Sequence, residues 1–213
     1  MKGVFGEIDY LNLLPFTFFI KKSSYTYIKR ATKRSHPAHI TELFLKKKVS
    51  AAFISSIKSR GQNCLKAGIV ANGEVLSVFV CEGENEDDKE SKSSNALKKI
   101  LGLKGRVVIG NKALQMYHED KKNCIDLAKE WKRQTGLPFV FATFCVNSNV
   151  GYYDKIVKKF LKHRVKIPYY IKKREALKLK IPLNLVELYL KKITYNIAKD
   201  EKKAIKLFLN RSK

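Results

Sequence analysis

Acidic residues are scarce in this chain: 19 Asp and Glu face 44 Lys and Arg, a formal net charge of +25. Such an excess raises nucleic acid as a partner, because each phosphate neutralised releases counterions. The distribution of the charge argues against it. Basic residues are scattered from Lys21-Lys22 through Lys46-Lys48, Lys158-Lys159 and Lys172-Arg174 to Lys202-Lys203, mostly on polar faces of predicted helices. No base-reading motif accompanies them, and Lys heavily outnumbers Arg, the residue that bidentate recognition favours. What remains is a general attraction for anions. Long apolar runs are missing too. No stretch of eighteen apolar residues occurs, and the start, Met1 to Glu7, has no apolar core followed by a small-residue cleavage site. Neither a membrane span nor export is expected, which points to the cytoplasm.

Cysteine is sparse and dispersed. Cys64, Cys81, Cys124 and Cys145 form no C-x-x-C pair, so neither a zinc site nor a dithiol redox motif is expected, and the thiols are read as small, reduced core residues. His36, His39, His118 and His163 are isolated, with His118-Glu119-Asp120 in a polar connection, so no metal is expected. The chain has no G-x-S-x-G elbow, P-loop, G-x-G-x-x-G or H-E-x-x-H. That removes the commonest hydrolase, nucleotide and zinc chemistries, and no cofactor is expected.

What is present is a globular pattern of 213 residues, 45% of them hydrophobic, enough for one large domain or two small lobes. A strand is predicted at Val4 to Ile8, with Pro15 keeping Leu14 out of a helix. A helix follows from Pro37 to Leu45, then a buried strand from Val49 to Ile54 that ends in Ser55-Ser56. Another apolar strand runs from Val75 to Cys81 after an Asn72-Gly73 turn. Gly83 to Lys92 concentrates the acid and is read as a mobile excursion or linker. Ser91 opens a helix, and Gly105 to Asn111 is a short strand and turn. Asp126 caps a helix carrying Leu127 and Trp131, Gly136 ends it, and Pro138 forbids its resumption. The continuously apolar Phe139 to Val146 is expected to run through an interior or a domain seam. Beyond Tyr152 only helices are predicted, with stripes such as Leu185, Leu188 and Tyr189 facing inward. Strands alternating with helices, then a helical tail, indicate an α/β class.

The polar residues at the ends of these apolar segments are neutral: Asn12, Ser55, Ser56, Ser77, Ser93, Ser94, Asn95, Asn111 and Thr135. Hydroxyls, amides and a helix start such as Ser91 to Asn95 suit a carboxylate ligand. By pattern alone, capping and turn roles explain each of them better than a ligand does.

An ordered set of motifs separates these alternatives. Gly6-Glu-Ile-Asp-Tyr-Leu-Asn-Leu-Leu-Pro15, Pro37-Ala38 leading to Ile54-Ser-Ser-Ile57, Gly73-Glu-Val-Leu-Ser-Val78, the looser Ser91-Lys-Ser-Ser94, Ile109-Gly-Asn-Lys-Ala-Leu114 and the run from Asp126 to Ala142 occur in sequence. In this the chain resembles the chorismate dehydratase family of menaquinone biosynthesis. The resemblance implies a two-lobed, type II periplasmic-binding-protein-like fold with a helical C-terminal tail. Its lobes would be 1–80, 81–145 and a return at 146–213, with crossing strands near Ser77–Cys81 and Phe139–Val146. It implies chorismate as the partner, with Asn12 and Ser77 catalytic, and with Tyr10, Leu11, Ser55, Ser56, Ser93, Ser94, Asn95, Asn111, Thr135, Gly136 and Phe139 around the substrate.

Two departures from the family pattern stand out. Asn111 replaces an aspartate, which removes a general base at that position, and the segment between Ser94 and Ile109 is short, which implies a trimmed second lobe. A non-catalytic binder of small carboxylates on the same fold is the alternative reading. The pathway's dihydroxynaphthoate-forming enzyme is disfavoured by the Tyr-Leu-Asn opening. Oligomeric state is not legible.

Overall fold

In the computed structural model, residues 4–23, 32–119, 123–163 and 165–212 are described. The larger of two sheets contains β1 (Phe5–Ile8), β2 (Thr32–Ser35), β3 (Ala51–Ser55), β4 (Cys64–Ala71), β8 (Phe139–Val146) and β9 (Ile193–Asn196), in the order β2-β1-β3-β8-β4-β9. β8 sits between β3 and β4 and pairs antiparallel with both, and its apolar run follows from packing on both faces, with Phe144 against Tyr153 and Phe139 against Phe208. Around it, Phe16, Phe53, Phe144 and Phe160 form a ring cluster with centroids 5.0–5.6 Å apart. Helices α1 (Leu14–Lys22) and α6 (Val150–Lys162) contribute Phe16 and Phe160 to this core.

The smaller sheet, β6-β5-β7, consists of β5 (Val78–Cys81), β6 (Arg106–Ile109) and β7 (Cys124–Asp126), all antiparallel. It is flanked by α3 (Lys92–Ile100), α4 (Gly110–His118) and α5 (Leu127–Thr135). The chain thus leaves the large sheet between Ala71 and Val78 and returns by Phe139. The expected lobe boundaries shift accordingly: Phe139 to Cys145, assigned to the second lobe, belong to the large sheet, and Val78 to Cys81 belong to the small one.

Several expectations are corrected. Leu14 and Pro15 do begin a helix, because proline costs nothing in a first turn whose N–H groups have no intrahelical partner. The C-terminal tail is not purely helical: after α7 (Tyr169–Leu179) and α8 (Leu183–Lys192), β9 pairs with β4 before α9 (Lys199–Arg211). Leu188 is 40% exposed, so it does not share the buried face of Leu185 and Tyr189. The strand β4 carries no clear alternation and was not anticipated.

The acidic segment is pinned rather than free. The buried Lys98 ammonium donates to Asn85 Oδ1 (3.0 Å) and the Glu86 carbonyl (3.2 Å), and it pairs with Asp87 at 2.9 Å. The cysteines, read as separate thiols, stand opposite one another across strand pairs and are bridged, Cys64 to Cys145 and Cys81 to Cys124. Strand register, which sequence spacing does not show, brings them together. Of the polar triplet at the end of α4, Asp120 lies outside the described residues. Among the described residues no group of acidic, histidine or cysteine side chains could hold a metal, and no helix is long and apolar enough to cross a membrane.

Candidate active site

Where the two sheets face each other lies a cleft whose lining holds no Asp, Glu, Lys, Arg or His among the described residues. Its polar groups are those of Tyr10, Asn12, Ser55, Ser77, Ser91 and Ser94, set against Ile8, Val75, Ile109 and Phe141. The local folding that delivers them is consistent. Tyr10 and Asn12 follow β1 at a short 3-10 turn, Leu11–Leu13; Pro37 opens α2 (Pro37–Leu45); Ser91 caps α3; and Gly110 opens α4. The starts of α2, α3 and α4 therefore all border the cleft. The positive ends of the helix dipoles give the cleft an anion-attracting field without a charged side chain, although several first-turn N–H groups are already paired, Gly110 with the Ser77 carbonyl and Ser94 with the Ser91 hydroxyl.

Asn12 and Ser77 meet at a third residue. The buried Ser77 hydroxyl donates to the phenol oxygen of Tyr189 at 3.2 Å, and the Asn12 amide lies near enough to the same phenol to affect its acidity. Burial pushes the Tyr189 phenol up to about 12, against the smaller opposing effects of those two neighbours. The Asn12 carbonyl accepts from Tyr195 at 2.5 Å, which fixes the backbone of the turn, while its side-chain Oδ1 is buried without a partner. Tyr189 escaped the sequence reading because its apolar spacing in α8 is that of a core residue. Ser91 was seen only as a helix start.

The lobes are bonded across the cleft. Tyr10 donates its hydroxyl to Glu90, and Ala38 N–H donates to the Glu90 carbonyl at 3.0 Å. The Tyr10 ring lies against Gly110, where a Cβ would come within 2.6 Å of it and where φ is +64°. Burial first, then the Glu90 carboxylate, hold the Tyr10 phenol well above the ordinary tyrosine range, so it remains a donor. Ser56 and Ser93 hydroxyls bond at 3.2 Å, and Gln115 reaches the Leu179 carbonyl at 2.8 Å. Water can reach only about 40 Å³ of the cleft, against roughly 300 Å³ at the small end of ligand pockets. A ligand of ordinary size would fit only if the lobes parted.

The residues named from the sequence divide accordingly. Tyr10, Asn12, Ser55, Ser77 and Ser94 line the cleft. Ser56 and Ser93 are buried beside it and join the lobes. Leu11 is buried, and its N–H donates to Asn111 Oδ1 at 3.5 Å; both border a separate outer hollow of about 90 Å³ that holds the ion pairs of Arg34 with Glu7 and Arg174 with Glu175.

The remaining four take structural roles away from the cleft. Asn95 is turned to the acidic segment, exchanging bonds of 2.9 and 2.7 Å with the Asp88 backbone. Thr135 donates to the Trp131 carbonyl, Gly136 ends α5 in the left-handed conformation, and Phe139 packs on Trp131 and Phe208. The 135–139 run matches its motif because it ends a helix and starts the central strand. Phe141, two residues on, is the one that borders the cleft.

Comparisons with known proteins bear on the chain's family and fold. A family model described as menaquinone biosynthesis matches residues 98–213. A chorismate dehydratase from Campylobacter jejuni subsp. jejuni serotype O:23/36 (strain 81-176) is 40% identical over 99% of this chain and 97% of its own length. Near-complete coverage of both chains means the short second lobe is no loss relative to that protein. Among solved structures, an Archaeoglobus fulgidus protein superposes with a TM-score of 0.71 at 11% identity, over 99% of this chain and 96% of its own. A Candida albicans protein described as having the generic periplasmic-binding-protein fold gives 0.52 at 11% identity, over 97% and 89%. The likenesses to solved structures establish the two-lobed periplasmic-binding-protein fold. The end-to-end identity and the family model together make this chain a member of the chorismate dehydratase family of menaquinone biosynthesis.

Proposed function

We propose that this chain is a hydro-lyase that removes water from chorismate, giving 3-[(1-carboxyvinyl)oxy]benzoate on the futalosine route to menaquinone. Loss of the C3 proton and the C4 hydroxyl aromatises the ring, so much of the driving force belongs to the substrate. The protein's task is to hold a dianion in an oriented, water-poor cleft and to stabilise the charge that develops. The observation that carries this reading is the neutral cleft onto which three helix starts open. It can hold carboxylates, but it offers no carboxylate or imidazole of its own as base.

The proton therefore goes to the substrate, and the enolpyruvyl carboxylate, tethered at C3, is the acceptor. Asn12 and Ser77 orient the ring and stabilise the departing hydroxyl. A cytoplasmic location belongs to the same proposal; the two bridged cysteine pairs bear against it. Incubating purified protein with chorismate and separating the products by chromatography tests the reaction. An aromatic product formed in proportion to enzyme is expected. Chorismate that is bound but unchanged would mark a binding protein instead and overturn the proposal.

A further inference from the structure

We propose that Tyr189 is a positioning residue of this site, tying the Ser77 hydroxyl and the Asn12 amide into one oriented unit; the inference rests on the dehydratase reading above. Tyr189 comes from α8, 112 positions from Ser77 in sequence, and is 1% exposed. It does not line the cleft but stands behind it, bonded to Ser77 and beside Asn12, both of which do line the cleft. A phenol has one proton to give and two lone pairs to receive. Ser77 uses a lone pair, since its hydroxyl donates at 3.2 Å. The Asn12 amide is the other neighbour, and its Oδ1 is the buried acceptor left without a partner.

A half-turn of that amide places Oδ1 on the phenol proton and the NH₂ group toward the cleft. The chain then runs from Ser77 O–H to Tyr189 O–H to Asn12 C=O, with every buried group satisfied. Its polarity has a consequence for the ligand. With the Ser77 proton directed inward, the Ser77 oxygen offers lone pairs to the cleft, while Asn12 offers N–H donors. One wall thus accepts from a substrate hydroxyl and donates to a carboxylate. Because burial keeps the phenol protonated, this polarity is constant across the working pH range.

Tyr189→Phe removes one oxygen and keeps the ring packing, so the effect should fall on orientation rather than on binding. We expect kcat to drop about ten- to hundred-fold, the scale on which small misplacements of catalytic groups are felt, with KM within about threefold and the melting temperature close to that of the parent. The decisive comparison is a double-mutant cycle. In a Ser77→Ala background, Tyr189→Phe should cost markedly less than it does alone, because half of what it orients is already gone. Where the phenyl variant does not fold, Tyr189→Met, which fills the space flexibly, is carried through the same cycle. Parental kcat in the variant, or the same loss in both backgrounds, overturns the inference while leaving the dehydratase reading intact. A parent protein that does not turn over chorismate defeats both.

Discussion

Asn12 shows how one residue is committed twice: its carbonyl holds the turn through Tyr195, and its amide is left for the cleft. The sequence motif marked the residue but not this division. Glu7 and Asp9, two charged neighbours in the same motif, are spent elsewhere, on Arg34 at 2.6 Å and on Lys178 at 3.8 Å, at the outer hollow. The contrast yields a prediction. Asn12→Ala and Ser77→Ala should each lower kcat by about a hundred-fold or more, the scale of losing one oriented hydrogen-bonding group. Glu7→Gln and Asp9→Asn should leave kcat within about twofold, since neither carboxylate lines the cleft. Steady-state kinetics on the four variants checks this, and a large loss from either acid substitution would restore a protein carboxylate as base.

At the level of elements, the acidic segment is where pattern and structure part. A run rich in Glu and Asp reads as a linker because it lacks apolar residues to bury. It is held instead by polar bonds made at a distance: Lys98 to Asp87, Asn95 to Asp88, and Glu90 to Tyr10 across the cleft. None of these partners can be read from local spacing. By contrast, α5 was legible to the residue, because Asp126 caps it by accepting from Ala128 and Lys129, and Gly136 closes it. Thr135 and Phe139 were assigned to the ligand through the family resemblance alone, and the motif that carries it here spans a helix end and a strand start.

The Glu90 contact makes a latch. Tyr10→Phe should shift the free protein toward an open form, visible as a larger radius in small-angle scattering, and raise KM several-fold with the chemical step little changed. Its pH dependence has a definite sign. A tyrosine whose folded pKa is raised contributes stability that is fully present below its ordinary value near 10 and is lost as pH rises through the folded value. Closure by this phenol should therefore be constant from neutral pH to about 10. Loosening that sets in near pH 8 would show that another group controls it.

For the whole molecule, the α/β class and the burial of β3 and β8 could be read from apolar runs. The sheet to which each strand belongs could not, since that depends on pairings such as β3 with β8 that join residues about ninety positions apart. The same separation hid the cysteine pairs and Tyr189.

Net charge is the property that belongs to no single element, and the structure gives it a role distinct from the chemistry. Most Lys and Arg among the described residues are exposed, whereas the cleft lining is neutral. A dianionic substrate should feel the first while approaching and the second only once bound. Raising salt from about 0.01 to 1 M shortens the screening length from roughly 30 to 3 Å, so kcat/KM for chorismate should fall about tenfold while kcat stays within about twofold. Initial rates across a sodium chloride series separate the two. A kcat that fell in parallel would mean that a surface charge acts on the bound substrate, and the division between steering outside and neutral polar groups inside would not hold.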